Sequence, residues 1–132
     1  MRGYLLDTSI AIGVRDGVAN LPRRVSALEW PTRLSVVTVV ELQGSLHRDS
    51  AVAAKRAIGL ELLLRSIDVL AFDDACAEAY GRIVAASGYS RPRILDRTIA
   101  ASALVRGLVV VTANAPDFAD VPALVLEPWS AA

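Results

Sequence analysis

The chain has 132 residues, is 54% hydrophobic, and balances 14 basic against 14 acidic side chains, for a formal net charge of zero. That length supports one domain, residues 1–132, with a real core, and the charge balance does not announce a protein that grips nucleic acid by bulk electrostatics. No apolar run reaches membrane-spanning length, the first one stops at Asp7 before it could form a secretion signal, and the single cysteine, Cys76, fits a reducing cytoplasm.

In chain order, Gly3 to Leu6 is a short apolar strand ending at Asp7. Thr8 to Arg15 then reads as a helix stopped by Gly17, and Leu21 to Leu28 as a second, short helix behind Pro22. After the Trp30-Pro31 break, Arg33 to Val37 is the next strand, followed by a helix from Thr38 to about His47. Ala51 to Ser66 makes a long helix, Val69 to Phe72 a third strand, and Asp73 to about Ser87 another helix. Gly88 to Pro92 is a loop. From Ile94, apolar Ile99, Ala100, Ala103 and Leu104 recur at helical spacing until Gly107, which takes a left-handed C-terminal position at no steric cost. Leu108 to Val111 is apolar throughout, as in a strand buried on both faces of a parallel sheet, and Leu124 to Leu126 is a last short strand. Such alternation implies an α/β sandwich with a mainly parallel central sheet flanked by helices.

Four acids fall at predicted strand-to-helix junctions: Asp7, Glu41, Asp96 and Asp117. In an open parallel sheet these junctions share one edge, where ligands usually bind. Clustered carboxylates need protons or a divalent cation to coexist, and an all-oxygen set favours Mg²⁺ or Mn²⁺. Such a site suits attack of water on a phosphodiester. Each acid also has a plainer reading. Asp7 and Asp96 stand where a helix cap belongs, Thr38-x-x-Glu41 fits a capping box, and Asp117 follows Pro116 in a turn. Asp73 and Asp74 also precede a helix and are assigned capping alone.

Other chemistries are poorly served. One histidine, His47, excludes a metal-free nuclease built on a histidine pair; there is no phosphate-binding glycine loop, no dinucleotide fingerprint and no thiolate or histidine zinc motif. No serine sits on a nucleophile elbow. The only lysine, Lys55, lies in mid-helix, badly placed for a phosphoacceptor receiver domain.

The motifs DTS at Asp7 to Ser9, TVVEL ending at Leu42, LDRTIAASAL from Leu95 to Leu104 and VVTANAPDF from Val110 to Phe118 resemble the PIN-domain ribonucleases, and most closely the VapC toxins of VapBC toxin–antitoxin pairs. The likeness runs from Asp7 to about Trp129. It implies a PIN-like three-layer sandwich and an Mg²⁺- or Mn²⁺-dependent endoribonuclease, cytoplasmic, held inactive by a cognate VapB-type antitoxin and paired as a homodimer. Its RNA substrate would be of the tRNA or rRNA class. By the same resemblance Asp7, Glu41, Asp96 and Asp117 are the metal-site acids, Thr112 and Asn114 the polar residues of the late turn, and Thr8 and Ser9 orient ligands. Gly44 departs from the family pattern by one position, which bears on helix packing there and not on the carboxylate.

For a neutral chain, RNA contact falls to Arg91, Arg93 and Arg97 beside Asp96, with Tyr89 as a stacking group; the alternative is that these arginines pair with nearby acids. Apolar residues at Val39 to Leu46 and Ile58 to Leu64 exceed the need of one sheet face and suggest a groove for an antitoxin helix or a dimer contact, with core packing as the competing explanation. Two other functional readings stand beside the toxin: a housekeeping RNA-processing nuclease without an antitoxin, and a catalytically silent PIN-like module whose acids only cap helices.

Overall fold

The computed structural model describes residues 2–130. Five strands make a single parallel sheet: β1 (Tyr4–Leu6), β2 (Thr32–Ser35), β3 (Asp68–Leu70), β4 (Val109–Thr112) and β5 (Leu126–Pro128). Their order across the sheet is β3-β2-β1-β4-β5. The chain therefore builds outward from β1 in one direction through β2 and β3, then returns to place β4 on the other side of β1. The reversal leaves a crevice between the C-terminal ends of β1 and β4, where open α/β sheets bind ligands.

Alternation along the central strands sorts the core into two layers. Tyr4, Leu6 and Val111 face one side and pack with Ile10, Leu34, Leu42, Leu60 and Leu63, from the strands and from helices α1 (Thr8–Arg15), α3 (Val36–Ser45) and α4 (Ala53–Ser66). α2 (Leu21–Ser26) adds Val25 to this side. Leu5 and Val110 face the other side and meet Ala79 and Ile83 of α5 (Asp74–Ser87) and Ile99, Ala100 and Ala103 of α6 (Ile94–Arg106). Each fully buried Leu or Ile contributes on the order of 1.5–3 kcal/mol. The result is the three-layer sandwich expected from the pattern.

α6 shows how its sequence fixes its place. Ile99, Ala100, Ala101 and Ala103 are all buried, because α6 packs against α5, α3 and β4 at once and small alanines allow that close approach. Gly107 ends it in the left-handed conformation, φ 67° and ψ 36°, as expected. A comparably close approach occurs where α1 crosses α4: a Cβ at Gly59 would lie 2.1 Å from the Arg15 carbonyl oxygen, so only glycine fits. At Gly44, by contrast, a Cβ would meet nothing, so the displaced glycine of the sequence pattern carries no packing role.

Several boundaries differ from expectation. β2 ends at Ser35 and α3 begins at Val36, two residues before the predicted Thr38. Ser35 is the cap, its Oγ accepting from the Val37 amide at 3.1 Å, so Thr38-x-x-Glu41 is not a capping box. Val36 and Val37 favour strand by propensity, and tertiary packing overrides them. β5 starts two residues later than predicted, at Leu126, and α2 stops at Ser26. Asp73 does cap α5, accepting from the Cys76 amide at 3.1 Å, whereas Asp74 lies in the first turn and accepts no cap bond. Among the described residues no helix is long and apolar enough to cross a membrane.

Candidate functional site

Asp7 follows β1 directly and is anchored from three directions. Its backbone amide donates to the Val111 carbonyl of β4 at 3.0 Å, continuing the β1–β4 ladder by one residue. One carboxylate oxygen, Oδ1, caps α1 by accepting from the Ile10 amide at 2.9 Å and also accepts from Ser9 Oγ at 2.7 Å. The other, Oδ2, accepts from the Thr112 hydroxyl at the end of β4. The side chain is only 3% exposed, and these donors are what make so buried a carboxylate tolerable.

Glu41 reaches the same edge from the second turn of α3. Its Oε1 accepts from Thr8 Oγ1, and Thr8 lies 3.1 Å from the hydroxyl of fully buried Thr38. Since the single Thr8 proton is committed to the carboxylate, Thr38 donates to Thr8. Thr38 stands one turn before Glu41 on α3, so the two side chains share a face and both meet Thr8.

Asp96 lies in the first turn of α6, yet it accepts no hydrogen bond from any group in the described residues, and α6 has no side-chain cap at all. The capping reading therefore holds for Asp7 and fails for Asp96. Burial, and then the charges of Asp117, Asp7 and Glu41 in that order, push the Asp96 carboxyl up to about 6, with Arg93 pulling the other way. The other three acids thus all act on Asp96 across the crevice. Asp117 sits in a short 3-10 turn, Ala115–Phe118, pinned by the buried Phe118 ring. Thr112 links this turn to the site, because its Oγ1 accepts from the Asn114 amide at 2.9 Å while its proton goes to Asp7. The Asn114 side chain itself is exposed and makes no such bond.

The acids share an edge without already enclosing one point: among the described residues, no three histidine, cysteine or carboxylate ligands are gathered tightly enough to hold an ion as they stand. The chemistry of the set nevertheless fits a hard divalent cation, being all oxygen and including in Asp96 a carboxylate without a donor.

The three arginines separate. Arg91 is exposed in the 3-10 turn before α6. Arg93 is half-buried and donates from Nη1 to the Asp117 carbonyl at 2.7 Å. Arg97 corrects the expectation of a phosphate contact: it is 2% exposed, with Nη1 donating to the Gly88 carbonyl and Nη2 paired with Asp120 Oδ2 at 2.7 Å. It points into the protein because it follows Asp96 by one residue, about 100° around the helix. Tyr89 is 68% exposed, open to a stacking partner.

Two residues of the site escape the sequence pattern. Thr38 is hidden by its resemblance to a cap, and Asp120 has no local signal, since its partner lies 23 positions away.

With this geometry in place, the comparisons with known proteins agree. The chain belongs to the PIN-domain family, which matches residues 4–124. Within that family its relatives are VapC proteins. It is 33% identical over 125 residues to ribonuclease VapC4 of Mycobacterium tuberculosis, covering 92% of this chain and 93% of that one. It is 32% identical over 133 residues to the tRNA(fMet)-specific endonuclease VapC of Shigella flexneri, covering 98% and 100%. The crystal structure of DNA-bound VapBC from Salmonella typhimurium superposes with a TM-score of 0.82 at 26% identity, over 98% of this chain and 99% of that one. VapBC2 from Rickettsia felis, bound to a promoter fragment, gives 0.85 at 22% identity, over 97% and 99%, and so shares the fold.

Proposed function

We propose that this chain is a divalent-metal-dependent endoribonuclease and the toxin of a toxin–antitoxin pair. The observation that carries the reading is Asp96: a partly buried carboxylate with no hydrogen-bond donor, facing three other acids at the sheet's switch point. Such a group is costly in an apo protein and useful to a cation. Mg²⁺ or Mn²⁺, when bound, supplies activation of water and stabilisation of the leaving oxygen of an RNA phosphodiester. Asp96, Asp7, Glu41 and Asp117 hold it. Ser9 and Thr112 fix the Asp7 carboxylate, and Thr8, backed by Thr38, fixes that of Glu41. Arg91 contacts the RNA backbone, with Tyr89 free to stack on an unpaired base. The tRNA specificity of the Shigella relative favours a structured RNA of the tRNA or rRNA class.

The partner is a VapB-type antitoxin, as in the neighbouring VapBC complexes. On this reading it docks on a largely apolar groove of about 770 Å³, lined by Val25, Leu28 and Trp30 on one side and Ile58, Leu62 and Leu63 of α4 on the other. Ile58 and Leu62 are exposed, at 62% and 58%, as an antitoxin helix requires. The Val39–Leu46 segment contributes less than expected, because Leu42 and Leu46 are buried in the core and Val39 packs against it. Exposed Val36, Val40 and Leu95, flanking the acids, are the proposed homodimer surface.

Induced expression of wild type beside Asp96→Asn, with total RNA examined for discrete fragments, tests the nuclease. Growth arrest and cleavage by wild type alone are expected; equal behaviour of the two proteins overturns it. An antitoxin reading frame directly upstream separates a toxin from a housekeeping nuclease.

A further inference from the structure

We infer that Arg97 and Asp120 form a positioning clamp that, with Arg93, holds the Asp117 turn against Asp96; this rests on the metal-nuclease reading above. The two arginines flank Asp96: Arg93, just before α6, stands three residues ahead of it, and Arg97, on α6, one residue after. Arg93 takes the Asp117 carbonyl at 2.7 Å, and Arg97 takes the Asp120 carboxylate at 2.7 Å. Asp120 is secured in turn: its carbonyl accepts from Ser87 Oγ at the end of α5. The remaining Arg97 bond goes to the carbonyl of Gly88, which takes φ 84°, a conformation most side chains avoid. One guanidinium thus ties α6, the α5 terminus and the segment just past the Asp117 turn together.

The need for a clamp is electrostatic. Asp117 is the strongest charged neighbour of Asp96, and two like charges on separate segments drift apart unless something outside the pair restrains them. Both restraints bypass the carboxylates themselves, through a backbone carbonyl and a third acid, and so leave the metal-facing oxygens uncommitted.

Stability alone is a poor account of Arg97. It is 2% exposed, and its Nε–H has no hydrogen-bond partner among the described residues. Its one acid, Asp120, has a side chain 40% exposed. A buried guanidinium with an orphaned donor is often no better for stability than a well-packed apolar side chain. What arginine adds is reach: two directed bonds to segments that no apolar group could fix in register.

The test is Mn²⁺ affinity by titration calorimetry, with thermal melts in chelator. Asp120→Ala is the main variant; because it leaves the buried Arg97 guanidinium without its acid, the melts establish that it is folded at the titration temperature, and Arg97→Lys and Asp120→Asn, which keep a bonding group, grade the effect. Asp73→Ala, which loses the α5 cap, controls for a destabilised fold. Asp120→Ala is expected to weaken Mn²⁺ binding about 10–100-fold, as loss of outer-sphere support does elsewhere, with Asp120→Asn in between and Asp73→Ala unchanged. If wild type binds and Asp120→Ala binds equally well, or Asp73→Ala weakens binding as much, the clamp is overturned while the metal site stands. If wild type binds no Mn²⁺, the metal reading falls and the clamp with it.

Discussion

Asp7 and Asp96 stand on the same sheet edge, one after β1 and one in the helix leading into β4, yet their surroundings are opposite. Asp7 is almost wholly buried and receives three side-chain or backbone donors, while Asp96 is half-buried, receives none and has its carboxyl pushed up to about 6. The first acid belongs to the fold as much as to the site: it begins α1 and bridges to β4. The second contributes nothing local to the fold and is held in an unfavourable field. On the metal-nuclease reading proposed above, one sheet edge separates two tasks: Asp7 would fix where the cation sits, and Asp96 would supply the uncompensated charge that attracts it.

Removing each acid tests this division. Asp7→Ala strips the α1 cap and leaves the buried Thr112 hydroxyl without its acceptor, so a loss of about 3 kcal/mol in unfolding free energy is expected alongside abolished cleavage. Denaturant unfolding checks it; a loss no larger than that of a surface substitution breaks the comparison. Asp96→Asn is expected to lower cleavage by more than about 100-fold, exceeding what loss of an outer-sphere partner costs, with an unfolding midpoint no lower than wild type at neutral pH. A clear drop in that midpoint would show that Asp96 has a structural partner after all.

The pH dependence of stability sharpens the same contrast. With its carboxyl raised from 3.8 to about 6, folded Asp96 keeps a proton that the unfolded chain has already lost. Between those values the folded state binds more protons, so in chelator its stability falls as pH rises through the window and stays low above it. Asp73 and Asp120 run the other way. The Cys76 amide and the Arg97 guanidinium hold them below their ordinary value, so their contribution is lost as pH falls below about 4. Chemical unfolding at pH 4, 5, 6 and 7 should show the decline in wild type, its loss in Asp96→Asn, and its reversal when Mg²⁺ is added. A flat wild-type profile would mean that the acids do not crowd Asp96.

Much of this was legible in the sequence because the signals are local. Apolar runs ending at Asp7 and Thr112, the alanine-rich spacing of α6 and the stop at Gly107 each specify an element through its own residues, and a parallel sheet then brings the acids to one edge. What was hidden lies across the chain. The β2–α3 boundary was obscured because Val36 and Val37 carry strand propensity into the first turn of a helix. Arg97 looked available for phosphate because nothing near it in sequence reveals Asp120 or the Gly88 carbonyl. Thr38 looked like a cap because its true contact, Thr8, is 30 residues away. A pattern shows which residue types are present; which of them are already engaged is a property of the fold.

The smallest expected effect concerns Arg91, the exposed one of the three arginines around Asp96. Arg91 begins the 3-10 turn that leads into α6, pairs with no acid among the described residues, and is exposed to solvent. If it contacts a backbone phosphate, Arg91→Ala should weaken RNA binding by a few fold, uniformly across sequences, and reduce the salt dependence of binding by about one phosphate contact. Stability and Mn²⁺ affinity should not change, because the side chain supports neither the core nor the acids. Arg97→Lys should behave oppositely, shifting Mn²⁺ affinity while leaving the salt dependence alone. Filter binding of a structured RNA at 50–200 mM salt, with catalysis blocked by Asp96→Asn, distinguishes them. An unaltered slope in Arg91→Ala would return that arginine to the role of solubilising a loop, and leave phosphate recognition to the metal site alone.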